Sequence, residues 1–197
     1  ADEMVDTLKL CVSCKACRRE CPTGVDMARM KIEVLAARAE KFELSLHDKL
    51  VGFLPHYAPY AVRWPRLFNM RNGNGLFRKA SEVVAGFSSR RSLPKWRNDA
   101  YRDRSDWRYT SRDDNASARE VVLFADTFNR YFERENLDDA LSVLVAAGYR
   151  VYAPLPTGPT GRPLCCGRTF LTVGLVGGAR RGRQRTQWLA GPHGVRQ

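Results

Sequence analysis

The sequence CVSCKACRRECPTG at positions 11–24 sets the expected fold of the amino-terminal part of this chain. It holds four cysteines with the spacing C-x2-C-x2-C-x3-C, and a proline follows the last of them. Several disulfides within so short a stretch would be cramped and strained. Ligation of a metal is therefore the better account, and the candidate ligands are Cys11, Cys14, Cys17 and Cys21.

The same spacing occurs in bacterial ferredoxins, where three thiolates on one tight loop wrap three corners of a 4Fe-4S cube. In two-cluster ferredoxins the fourth cysteine of the run ligates the other cluster, so Cys21 serves either this cluster or a second one. Zinc also takes four thiolates, but zinc modules usually present two separated Cys-x-x-Cys pairs. We therefore predict a 4Fe-4S cluster, with a zinc-stapled structural module as the alternative. Lys15, Arg18 and Arg19 lie among the ligands, where they either offset the cluster's negative charge or form a solvated basic face.

Helices are predicted on both sides of this loop. Residues 2–10 carry apolar side chains at helical spacing, and the strongest helical pattern runs from Asp26, a capping residue, to Lys41. Ser45 can cap a further helix, after which prolines break the chain into short helical pieces. One more helix is expected at 76–86. Residues 1–87 are thus predicted to form a helical, ferredoxin-like iron–sulfur module.

Residues 88–118 differ in kind, since arginines and aspartates alternate there without apolar periodicity. We predict a basic linker on the surface. Four aromatic residues are interleaved with its arginines: Trp96, Tyr101, Trp107 and Tyr109. Such a combination can stack on bases and contact phosphates, so a nucleic-acid-binding basic module is a further alternative. The aspartates in the same stretch count against nucleic acid as a partner.

Residues 119–176 are predicted to form a partial α/β domain with a right-handed βαβ unit and a parallel sheet. The predicted elements are a strand at 120–125, a loop at 126–129, a helix at 133–147 and a strand at 149–153. A loop rich in Pro and Gly then leads to Cys165, Cys166 and Gly167, near the sheet edge at which open α/β sheets bind ligands. Adjacent cysteines are ordinarily small buried residues, whereas a cation at Arg168 favours metal or redox chemistry at them.

The composition limits the remaining possibilities. With 197 residues and 44% of them hydrophobic, the chain can form one or two modules, and we expect the α+β class overall. Its net charge is +12, and residues 177–197 carry arginines without an acid, so we predict a disordered or aberrant tail there. No apolar run is long enough to cross a bilayer, and the first residues lack a secretory pattern. We expect a cytoplasmic chain that is at most peripheral to a membrane, with no catalytic residue of its own.

Three segments carry a resemblance to a known family: CVSCKACRRECPTGVDMARMKIE from position 11, VVLFADTFNRYFERENLDDAL from position 121 and GRPLCCGRTFL from position 161. In this order they are similar to the iron–sulfur portion of the FAD-linked oxidase family, which includes D-lactate, glycolate and D-2-hydroxyglutarate dehydrogenases. In that family a flavin domain oxidises a 2-hydroxy acid. A ferredoxin-like module and a Cys-Cys-Gly domain then pass the electrons to a quinone or another acceptor.

The resemblance implies roles for all six cysteines. Cys11, Cys14, Cys17 and Cys21 would ligate the cluster, while Cys165 and Cys166 would be cofactor-binding or redox residues. FAD is expected on a flavin-containing domain or partner subunit, so this chain would not turn over alone. The implied location is cytoplasmic or on the inner face of the plasma membrane. Family members have an earlier cysteine motif and continue differently after residue 176, so a fragment with an artificial or frameshifted end is expected.

Overall fold

The computed structural model describes residues 2–102, 119–152 and 163–190, except the side chains of residue 2 and residues 188–190. Parts of the predicted linker, loop and tail, at 103–118, 153–162 and 191–197, lie outside the described residues. In chain order the elements are α1 (Asp2–Lys9), α2 (Ala16–Glu20), α3 (Met27–Lys41), α4 (Leu46–Gly52), α5 (Leu54–Ala61), α6 (Pro65–Gly73), α7 (Gly75–Ala85), β1 (Glu120–Val122), α8 (Thr127–Tyr131), α9 (Arg134–Ala146), β2 (Arg150–Tyr152), α10 (Arg168–Thr172) and α11 (Val176–Ala190).

The predicted α+β class is confirmed, because the described residues form mostly helices and a small two-stranded sheet. The strands β1 and β2 are parallel, with Val121 opposite Val151. The helix α9 connects them in sequence, as the βαβ pattern predicted. The strand β1 ends at Val122, earlier than expected, and β2 begins at Arg150, while Ala153 of the predicted second strand lies outside the described residues.

Local capping explains where the predicted helices begin. The Asp26 side chain accepts a hydrogen bond of 2.9 Å from the Arg29 N–H at the start of α3. Ser45 Oγ accepts one of 3.1 Å from the Asp48 N–H at the start of α4. These bonds satisfy backbone donors that have no partner within the helix. The predicted starts of α3 and α4 are confirmed.

The chain divides into two compact units, of which the first comprises Ala1–Leu54 and Gly167–Arg181. Its core includes the buried side chains of Val5 and Leu8 on α1. The ring of Phe170 packs edge-on against Phe53, with centroids 5.6 Å apart. A Cβ at Gly52 would lie 2.7 Å from Val173 Cγ2, so the glycine permits close packing of α4 at this point.

The second unit comprises Pro55–Cys166 and Gly182–Gln197. Val151 of β2 is fully buried, and a core cluster joins Tyr101, Ala125 and Leu137. Backbone packing groups the chain into these two units. The division expected from the sequence, into residues 1–87, 88–118, 119–176 and 177–197, remains a prediction.

Residues 87–96 have no regular secondary structure and are held by side chains of α6. The Asn69 amide donates to the Trp96 carbonyl (2.8 Å) and accepts from the Trp96 N–H (2.9 Å). Asn72 forms the same pair of bonds with Leu93, at 2.8 and 3.0 Å. The buried Arg71 guanidinium donates to Ser81 Oγ and to three carbonyl groups, those of Arg91, Phe87 and Ser88. Residues 88–96 of the predicted linker are therefore packed against α6.

Two further stretches differ from the sequence-based expectation. The predicted loop at 126–129 begins α8, because the Asp126 carboxylate accepts the N–H groups of Phe128 and Asn129. Residues 177–190 of the predicted tail belong to the helix α11. Within the first unit, Ala179 of this helix is buried, and Gly178 lets the helix approach the Phe170 ring.

Replacement of Arg71 by Met tests the importance of these side-chain contacts. Because the substitution leaves partly buried acceptors without donors, we expect Arg71→Met to lower the free energy of unfolding by about 2–3 kcal/mol. Urea unfolding followed by circular dichroism measures the loss. Arg66→Met, on the exposed side of α6, is the matched control and should change stability by less than ~0.5 kcal/mol. Equal losses in both variants would contradict the assigned role of Arg71.

Candidate functional site

The cysteine loop is bent tightly around Cys14. Ser13 and Lys15, on either side of it, have left-handed backbone conformations with φ of 58° and 61°. Such conformations cost residues other than glycine about 1–2 kcal/mol each. They persist where surrounding contacts fix the backbone, and they are concentrated at functional sites. The short helix α2 then carries Cys17, and Cys21 follows its end.

Hydrogen-bond donors contact two of the four sulfurs, those of Cys17 and Cys21. The backbone N–H of Met27 donates to Cys17 Sγ over 3.3 Å. The Thr23 hydroxyl lies 3.0 Å from Cys21 Sγ. That hydrogen bond, together with backbone N–H groups of residues 23–25, lowers the pKa of the Cys21 thiol. The contacts of Cys21 stabilise its thiolate, which is the form that ligates metals.

Lys31 connects the cysteine loop to the helix α3. Its Nζ donates a hydrogen bond of 2.7 Å to the carbonyl oxygen of Cys11, in a partly buried position. Met27, which contacts Cys17, lies four residues earlier on the same helix. The first turn of α3 therefore contacts the middle of the cysteine run through a backbone N–H, and a side chain one turn later contacts its beginning.

The four predicted ligands lie on one loop, but their side chains do not form one metal-binding group. All four are free thiols, with Cys14 exposed and the others partly buried. Among residues 2–102, 119–152 and 163–190, no three or more His, Cys, Asp or Glu side chains are grouped as metal ligands. The chemistry of the donor set suits iron–sulfur clusters and zinc alike, because both take cysteine thiolates. The assignment of these residues as ligands remains a prediction.

The second cysteine pair lies in the second unit. Cys165 is partly buried and Cys166 is exposed, and the Cys165 carbonyl accepts a hydrogen bond of 3.2 Å from the Thr186 hydroxyl. Gly167, which follows in the sequence, belongs to the first unit and has a left-handed φ of 81°. A Cβ at this position would lie 2.7 Å from the carbonyl oxygen of Ala179, so only glycine fits there.

Two of the aromatic residues that suggested nucleic-acid binding, Trp96 and Tyr101, pack within the second unit. The Trp96 ring packs against Phe132, with centroids 4.7 Å apart, and Tyr101 is buried. Burial of the Tyr101 ring prevents a base from stacking on it, whereas Trp96 is only partly buried. Trp107 and Tyr109 lie outside the described residues.

Sequence reasoning did not identify Thr23, Met27 or Lys31 as contacts of the cysteine run. Thr23 follows the motif so closely that its contact with Cys21 is a local effect which the spacing could have indicated. The bond from Lys31 to Cys11 joins residues twenty apart in sequence. No local pattern identifies that contact, since it depends on how α3 packs.

Curated proteins similar to this chain relate it, at a distance, to the oxidoreductases. They are D-2-hydroxyglutarate dehydrogenases. The protein of Escherichia coli strain K12 is 26% identical over 166 residues, which cover 81% of this chain and 16% of that protein. That of Pseudomonas putida strain KT2440 is 26% identical over 183 residues, covering 82% and 17% respectively. That of Pantoea ananatis strain AJ13355 is 22% identical over 169 residues, covering 81% and 16%.

The chain spans about a sixth of the length of the curated relatives it matches, as the 16% coverage of the first shows. No family model matches the chain, and no solved structure matches it either. The resemblance is confirmed in its coarse form, as a distant similarity to D-2-hydroxyglutarate dehydrogenases.

Replacement of Gly167 by Ala tests the close packing beside the Cys-Cys-Gly motif. Gly148 has a similar φ of 80° but nothing within 4 Å of an added Cβ, so Gly148→Ala is the matched control. The control should lose about 1–2 kcal/mol of stability from backbone strain alone. Gly167→Ala should lose a further ~1–3 kcal/mol, because its methyl group would meet the Ala179 backbone. Urea unfolding measures both, and equal losses would show that the contact with Ala179 is unimportant.

Proposed function

We propose that this chain is the electron-transfer iron–sulfur portion of an FAD-linked 2-hydroxy-acid dehydrogenase. The observation that carries the proposal is the cysteine loop, in which hydrogen-bond donors point at the sulfurs of Cys17 and Cys21. Distant similarity to D-2-hydroxyglutarate dehydrogenases supports the same class of reaction. In this proposal Cys11, Cys14, Cys17 and Cys21 ligate a 4Fe-4S cluster, with Cys21 serving either that cluster or a second one.

The chain's own residues would hold the cluster and set its potential. When bound, a 4Fe-4S cluster supplies one-electron acceptance and donation. The N–H of Met27 would keep its bond to the Cys17 sulfur, and the donors of residues 23–25 would keep theirs to Cys21. Hydrogen bonds and positive charge near cluster sulfurs raise the reduction potential. The exposed cations Lys15, Arg18 and Arg19 would act in the same direction.

FAD would lie on a flavin-containing domain or subunit, which would deliver electrons from the 2-hydroxy acid. The apolar side chains beside Cys11 suggest where a redox partner makes contact, since Leu10 and Val12 are 88% and 83% exposed. A quinone or another acceptor would receive the electrons, in the cytoplasm or at the inner face of the plasma membrane. Cys165 and Cys166 are proposed as a second cofactor-binding or redox pair in this chain.

Anaerobic reconstitution with iron and sulfide tests the cluster. We expect ~4 iron and ~4 sulfide per chain, with visible absorbance that bleaches on reduction and a paramagnetic signal in the reduced state. Cys14→Ser should lose most of the iron, whereas the double variant Cys165→Ser with Cys166→Ser should keep the cluster of the first loop. Protein that binds zinc and takes up neither iron nor sulfide would sink the proposal and favour the zinc-stapled module.

Lys31→Met tests the connection between α3 and the cysteine loop. Loss of the ammonium group removes the bond to the Cys11 carbonyl and a positive charge, so the cluster should release iron about tenfold faster to a chelator, as outer-shell changes commonly do. Its reduction potential should also become more negative. Lys31→Arg should restore most of the retention. Lys41→Met, at the exposed end of the same helix, controls for net charge and should behave as the parent chain.

A further inference from the structure

The helix α7 has its apolar side facing outward. Its inward positions are Arg78, Ser81 and Ala85, spaced at helical intervals and partly buried. Ser81 Oγ accepts a bond of 2.6 Å from Arg71 Nε on α6. The opposite side carries Leu76, Val83 and Val84, all exposed, with Val83 at 86%. An amphipathic helix in a globular protein normally places its apolar side inward.

The chain before α7 has the same inverted arrangement. The inward side of α6 carries Asn69, Arg71 and Asn72, which hold the backbone of residues 87–96. Leu67 of α6 is exposed, and so is Tyr60 at the end of α5. Trp64, in the turn between these two helices, has 68% of its surface exposed. We call the six residues Tyr60, Trp64, Leu67, Leu76, Val83 and Val84 the outer surface.

The charged side chains in the sequence that carries most of the outer surface have one sign. From Lys49 to Ser81 the sequence contains no acidic residue. Arg63, Arg66 and Lys79 are exposed among the apolar side chains. Glu82 is the first carboxylate after this stretch, and its charge is already engaged by a hydrogen bond from Ser89 and by nearby arginines. The exposed cations Arg63, Arg66 and Lys79 thus come from a stretch of sequence without carboxylates.

We propose that the outer surface docks peripherally on a membrane that contains anionic lipids. Trp and Tyr suit the headgroup region, Leu and Val enter the acyl boundary, and Arg and Lys contact anionic headgroups. No helix of the described residues is long and apolar enough to span a membrane. Complementary charge favours this occupant over a second copy of the chain, which would bring cations against cations. The proposal uses no cysteine and does not rest on the iron–sulfur assignment.

Vesicle co-sedimentation with the full chain tests the docking. The chain should bind vesicles of mixed phosphatidylcholine and phosphatidylglycerol at least about tenfold better than phosphatidylcholine alone, and salt should weaken the binding because it screens headgroup attraction. The triple variant Leu76→Ser, Val83→Ser, Val84→Ser should lose at least tenfold in binding. Val143→Ser, at an exposed apolar position of α9, is the control and should bind as the parent chain.

Three outcomes would overturn the proposal. The first is equal binding to neutral and anionic vesicles, or binding to neither. The second is concentration-dependent self-association that the triple variant abolishes, which would show that a second copy covers the outer surface. The third is unchanged vesicle binding in the triple variant together with a salt-sensitive shift of labelled DNA, which would assign the cations to a nucleic acid. Circular dichroism of each variant checks that the helices are intact.

Discussion

The second unit depends on satisfying the backbone of a segment that has no regular secondary structure. Peptide groups removed from water need hydrogen-bond partners. For residues 87–96 those partners are side chains of one helix, because Asn69 and Asn72 each bond both the N–H and the carbonyl of one residue. Arg71 supplies donors for further carbonyls between them. These polar side chains of α6 therefore face inward, and Leu67 is left exposed.

A related constraint shapes the cysteine loop in the first unit. That loop also lacks long regular elements, and a neighbouring helix again supplies its contacts. Lys31 bonds the Cys11 carbonyl, and the Met27 N–H bonds the Cys17 sulfur. These contacts fix the backbone and direct a hydrogen-bond donor toward the Cys17 sulfur, while the contacts of Cys21 stabilise its thiolate. The stabilised thiolate is the chemical requirement that iron–sulfur clusters and zinc share, which is why the donor set suits both.

Local signals in the sequence were sufficient for much of the fold and insufficient for the rest. Asp26 and Ser45 predicted the starts of α3 and α4 because a cap bonds within its own turn. The apolar run near Val121 likewise predicted a strand from neighbouring residues alone. The packed state of Trp96 could not be predicted, since Asn69, which holds it, is 27 residues distant. The helix predicted at 76–86 matches α7 closely, but the sequence did not indicate which side would face the interior.

The inverted helices α6 and α7 are close to energetic balance. The eight bonds from Asn69, Arg71 and Asn72 contribute about 1 kcal/mol each, or ~8 kcal/mol in total. Burying three apolar side chains such as Leu76, Val83 and Val84 instead would contribute about 1.5–3 kcal/mol each, a similar sum. The free energy of the polar contacts therefore exceeds that of the alternative packing by little as long as those side chains stay in water. Transfer of the outer surface into an apolar environment adds the second contribution without losing the first, so docking would also stabilise the fold.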